Sequence, residues 1–194
     1  VLMPTVLGQP DPLAAQRLRR QLPWALGGVA LSALAGVLPW LTLPGALLMG
    51  GVVAHTLAGW VKTHGWRRIV GDGAAVALMG AGVGLLAAIA TGFAHGFGGM
   101  PGRPAVTAFF ALFLLPLVTG ALSQLLPVWR FPGPVTPARG RMRAALVRFG
   151  ALRTGLFLGG GALLTLGQTA GVALLAAGVL LFATVLLGGL AVRR

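Results

Sequence analysis

Six long apolar runs, divided by breaks rich in proline, glycine or arginine, constrain this chain more than any other feature. A helix rises about 1.5 Å per residue and the hydrocarbon core of a bilayer is about 30 Å thick, so each crossing takes roughly 20 apolar residues. The runs fall at 24–43, 45–61, 73–94, 105–129, 149–166 and 170–192. They are continuously apolar and lack the alternation of a lipid-facing barrel strand. The expected fold is therefore all-α, a polytopic integral membrane bundle of six transmembrane helices in a single membrane domain over 1–194. A charged fraction of 9% agrees, because soluble domains carry about a quarter.

The placement of charge orients the bundle. Lys and Arg near helix ends stay on the cytoplasmic side. Fourteen of the fifteen basic residues share one side in this layout: Arg17, Arg19 and Arg20 in the segment 1–22; Lys62, Arg67 and Arg68; Arg130, Arg139, Arg141, Arg143 and Arg148 in the connector 130–148, with Arg153 just inside the fifth run; and Arg193 and Arg194. The opposite side holds Arg103 alone. Both termini are thus expected in the cytoplasm. Trp24, Trp60, Trp66 and Trp129 fall near the same face and Trp40 near the other, as interfacial indoles do. The run after the first basic cluster is about twenty residues long, beyond the 7–15 of a signal peptide, and lacks an A-x-A site, so it reads as a retained helix. Near-exclusive use of Arg over Lys with abundant Ala and Gly points to a GC-rich bacterial genome, hence to a multi-pass protein of a bacterial inner membrane. The net charge of +13 is accounted for by this topology rather than by nucleic acid.

Lipid gives apolar helices no drive to associate, so close packing relies on small residues repeated along one face. Gly28, Ser32 and Gly36, then Gly80 and Gly84, then Gly155 and Gly159 beside Gly160 and Gly161, supply such faces. A Thr-Leu-Pro-Gly turn at 42–45 is expected to join the first two helices, and Pro116 to kink the fourth. Residues 30–34 and 121–125 share an Ala-Leu-Ser start followed by Leu-Pro and a Trp; an inverted repeat and coincidence in an Ala- and Leu-rich chain both account for it.

The inventory of reactive groups excludes much chemistry. With no cysteine there are no disulfides, thiolate metal sites or cysteine nucleophiles. Asp11 and Asp72 are the only carboxylates, and both lie in flanks, which argues against paired-carboxylate hydrolysis, carboxylate-bound metals and carboxylate proton relays. His55 is the ionisable side chain well inside an apolar run. Gly51, His55 and Gly59 recur at i, i+4 and i+8, a glycine-lined face expected to turn towards another helix. A neutral histidine hydrogen-bonded to a neighbour, a haem ligand in a groove that a flat macrocycle could enter, and a substrate or proton contact all fit that pattern. At 1.5 Å per residue His55 lies about 9 Å deep and His95 roughly 20 Å further along the normal, so one iron does not reach both. His64 falls in the flank. In the connector, Arg139, Arg141 and Arg143 sit on a basic helix after Pro132, Pro134 and Pro137, expected to contact the anionic leaflet or an acidic partner.

The stretch 120–134, Gly-Ala-Leu-Ser-Gln-Leu-Leu-Pro-Val-Trp-Arg-Phe-Pro-Gly-Pro, with His55 in Ala-His-Thr-Leu-Ala-Gly-Trp at 54–60, resembles segments of bacterial multi-span proteins distantly similar to haem–copper oxidase subunit I. Related membrane regions accompany nitrite and nitric oxide metabolism. That superfamily uses several helix-borne histidines, whereas this chain offers His55, so the resemblance implies association with respiratory or haem-containing complexes rather than oxygen or nitric oxide reduction. The expectation is a non-catalytic membrane subunit, packed against itself or other subunits, with one haem at His55 as its chemical option. The alternative is the substrate-binding membrane component of a vitamin-type transporter, which the scarcity of polar residues in the outer loops disfavours.

Overall fold

A computed structural model describes residues 2–8, 11–134 and 136–192, so Arg193 and Arg194 lie outside the described residues. Every regular element among them is helical. The α-helices are α1 (Leu2–Leu7), α2 (Ala14–Leu34), α3 (Thr42–His64), α4 (Trp66–Gly71), α5 (Gly73–Gly96), α6 (Gly102–Ala108), α7 (Leu115–Arg130), α8 (Pro137–Val147), α9 (Gly150–Thr165) and α10 (Ala170–Leu190). A 3-10 turn at Pro39–Leu41 precedes α3, and a π-helical stretch, Phe109–Leu114, joins α6 to α7.

Four helical runs are long and apolar enough to cross a membrane: Pro39–His64, Gly73–Gly96, Gly102–Arg130 and Ala170–Leu190. They mark the chain as a helical membrane protein. Two of the six expected crossings differ. Helix α2 begins ahead of the apolar run and takes Arg17, Arg19 and Arg20 into its first half. Helix α9 has 16 residues, about 24 Å at 1.5 Å each.

The turn between α2 and α3 also moves. The expected turn at 42–45 is the first turn of α3, and the chain reverses over 35–38 instead. Two prolines compete here. Pro44 occupies the first turn, where its missing N–H has no intrahelical partner to lose. Pro39 forces Leu38 out of helical geometry, to φ −122° and ψ 86°.

The long runs alternate in direction. The start of α5 meets the starts of α9 and the end of α8, where Gly73 lies against Gly150 and the Val147 carbonyl. Its far end meets the start of α3, where Gly96 packs on Thr42. Helices α9 and α10 form a hairpin in which Gly160 and Gly171 press on each other's backbone. We call the end holding Asp72 and α8 the basic end. There, Met3 and Val6 of α1 close over Ile69, Ala74, Ala75, Leu78 and Met79. Trp60 joins that cluster, whereas Trp24, Trp40, Trp66 and Trp129 are exposed.

The glycine faces are used unevenly. Gly28 and Gly45 cross at backbone contact, with Ser32 against Gly45, but Gly36 falls beyond the end of α2. Gly80 receives Thr154 of α9. Gly155 looks into open space and a Cβ on Gly159 would make only ordinary contact with Leu174; Gly160 and Gly161 make the close contacts of α9. Pro116 has its effect on local winding. It cannot donate to Leu112, the helix widens into the π-helical stretch just before it, and the Leu112 carbonyl seats against Gly84, where a Cβ would collide with it.

Candidate functional site at the basic end

The polar groups of the interior gather where α5 begins, α7 ends, and α8 and α9 meet. Asp72 caps α5: its Oδ1 accepts from the amides of Ala74 (2.9 Å) and Ala75 (3.1 Å). Its Oδ2 accepts from Arg143 Nη2 at 2.7 Å. That nitrogen also donates to the Val6 carbonyl at 2.9 Å, and Arg143 Nε donates to Gln124 Oε1 at 3.2 Å. One guanidinium thus ties α1, α5, α7 and α8 together.

One turn deeper lies a second cation. Arg153 and Ser123 are both fully buried. Arg153 Nη2 donates to Ser123 Oγ at 3.4 Å, Nη1 to the Leu146 carbonyl at 3.5 Å, and the guanidinium stacks on Phe182 at 4.8 Å from the ring centroid. Ser123 Oγ donates to the Thr119 carbonyl at 2.7 Å. Arg153 Nε has no partner among the described residues. Phe149, at the elbow between α8 and α9, adopts a left-handed φ of 60°, with Arg148 over its ring at 4.8 Å. In the sequence alone Arg153 reads as one more topological charge. Its position inside an apolar run, rather than beside one, was the available signal.

A cavity of about 590 Å³ opens beside this network, lined by Arg68, Arg139, Arg143, Asp72 and Gln124 on its polar side and by α1, Pro127 and Val128 on the other. The three arginines of the basic helix therefore separate. Arg139 and Arg143 face this cavity, and Arg141 lines another of about 570 Å³ with Phe131, Pro132 and Thr136.

His55 lies elsewhere. It is exposed on α3 and lines a narrow groove of about 210 Å³ between α2 and α3, with Gln21, Thr56, Arg17 and Gly59. Gly51 is not part of that groove and faces open space. At the opposite end, His95 Nδ1 is 2.9 Å from the Met100 carbonyl. His95 also borders an apolar groove of about 840 Å³ between the α2–α3 hairpin and α5 and α6, with Phe93, Phe109 and Phe110. His64 is buried at the end of α3.

Both carboxylates serve structure. Asp11 accepts from the Leu13 amide at 3.0 Å and from Arg17 at 3.1 Å, and Asp72 is engaged as described. What the basic end offers chemically is positive charge and hydrogen-bond donors in a walled recess. No family model matches the sequence, and neither a curated protein nor a solved structure matches it. The class that the fold defines is a helical membrane protein.

Proposed function

We propose that the chain is a non-catalytic subunit of a larger assembly in a bacterial cytoplasmic membrane, crossing six times with both ends in the cytoplasm. The observation that carries this reading is the use of the acids. The sequence has two, and each is committed to helix starts and ion pairs, leaving the interior without a carboxylate for proton or metal chemistry. Alternation of the helical runs supports six crossings, with α2 and α9 completing pairs with α3 and α10. Exposed Leu and Val along α2, α3 and α10 provide the faces that meet lipid or neighbouring subunits.

The absence of cysteine makes the topology directly testable. Single replacements Val37→Cys, Phe97→Cys and Gln168→Cys should react with a membrane-impermeant maleimide on intact spheroplasts. Arg67→Cys and Pro134→Cys should react only after permeabilisation. Labelling of Val37→Cys or Gln168→Cys from the cytoplasmic side alone would overturn six crossings. Native mass spectrometry from nanodiscs should show the chain with further subunits, and a monomer alone would overturn the subunit role.

The apolar groove of about 840 Å³ favours a second reading, a substrate-binding component of a small-molecule transporter, since ligand pockets run at about 300–1,000 Å³. A small molecule retained by wild type and lost from Phe109→Trp, which fills the groove, would move the function there.

A further inference from the structure

We infer that the cavity at the basic end is a binding site for a phosphate-bearing anion, held by Arg68, Arg139 and Gln124 around the Asp72–Arg143 pair. Three guanidinium groups and one carboxylate line the recess, a formal balance of +2. The carboxylate is already satisfied on both oxygens, by two backbone amides and by Arg143. Arg68 makes no ion pair or hydrogen bond among the described residues, and Arg139 uses Nη1 on the Gly133 carbonyl at 3.3 Å, which leaves its other donors for a ligand. An arginine fork suits phosphate oxygens in pairs.

The second observation is Gln124. Its amide orientation is set by Arg143, which donates to Oε1, so Nε2 is the group left over, and it is buried with no partner. Gln124 itself lines the recess, so a turn of its side chain would bring this unpaired donor to an anion held there. The recess is also larger than phosphate alone requires, and its opposite wall is apolar, formed by Val6, Leu7, Pro127 and Val128. That pairing of walls fits a phosphate carrying a glycerol or other small organic group. Such a group is found on an anionic lipid and on a soluble phosphate ester alike. The inference does not depend on whether α2 and α9 cross the membrane.

The test uses the full chain in neutral nanodiscs. Native mass spectrometry counts bound phosphatidylglycerol against phosphatidylcholine, and calorimetry follows titration with glycerol 1-phosphate. Wild type should retain the anionic lipid preferentially. The variant Arg68→Gln/Arg139→Gln should bind it about fivefold more weakly per arginine, the ratio expected from about 1 kcal/mol per basic residue near the surface. Its thermal midpoint in neutral lipid should stay at the wild-type value. The control Arg19→Gln/Arg20→Gln removes the same charge from α2, outside the cavity, and should bind like wild type. Binding of the lipid alone would identify a headgroup site, of the ester alone a soluble ligand, and of both the phosphate itself. Equal weakening in the control, or no binding of either ligand, would overturn the site.

Discussion

The seam between α5 and α9 and the crossing of α2 with α3 solve the same packing problem with different tolerance. In the seam, backbone meets backbone where Gly73 lies against Gly150, so nothing in contact can rotate away. In the hairpin, Gly28 lies 2.7 Å (as an imagined Cβ) from the Met49 side chain, a flexible neighbour, although Met49 N and the Gly45 carbonyl stand close behind at 3.0 and 3.2 Å. Small residues draw helices together in both places. The ends of the seam, however, are tied to α1, α7 and α8 by the network at the basic end, whereas α2 rests chiefly on α3, to which Arg17 bonds through Thr63 and Gln21 through Thr56. Bonds confined to two helices join that pair; a network shared among four helices fixes one arrangement of several.

Breaking the seam should have the largest effect. Gly150→Val places carbon on the Gly73 backbone and should cost about 3 kcal/mol or abolish folding, read from denaturant unfolding in detergent. Arg153→Ala comes next, because it empties a fully buried site between Ser123, Leu146 and Phe182; a loss of about 3 kcal/mol is expected. Arg153→Met sharpens the point. Its hydrogen bonds are long and Nε is unpaired, so an apolar replacement of similar length should cost less than about 1 kcal/mol. Gly28→Ala should cost about 1 kcal/mol and loosen the hairpin, seen as faster proteolysis over 35–38 with the seam intact. The smallest effect has the opposite sign: Gly155→Ala, in open space, should stabilise by about 0.5 kcal/mol through helix propensity.

These contrasts also show what the sequence could reveal. Composition and apolar runs identify the helical class because burial in lipid leaves few alternatives. Spacing identifies candidate glycine faces, but Gly155 and Gly160 look alike until a neighbour is present on one side of α9. Pro44 and Pro39 are both legible as breaks, yet only the position of each within its helix decides which one turns the chain. The basic end is legible in the sequence as charge, whereas the cap that Asp72 forms and the meeting of Gln124 with Arg143, 19 positions apart, depend on a turn that spacing does not determine. His55 illustrates the converse. Its periodic pattern with Gly51 and Gly59 is real, but the two glycines face different surroundings, because α2 covers only one side of α3 there.

The π-helical stretch ahead of Pro116 acts as a phase setting. An α-helix advances about 100° per residue, so a single widened turn re-aims everything after it relative to everything before. At its start, Phe109 packs on Phe110 and Phe113, and Phe109 and Phe110 border the apolar groove; downstream, Ser123 and Gln124 point at α8. A regular helix through the same residues would aim one of these sets elsewhere. The two ends of the molecule are thus indexed to each other by the winding of a single helix, and deletion of Ala111 alone would uncouple them while keeping Phe109, Phe110, Ser123 and Gln124 in the chain.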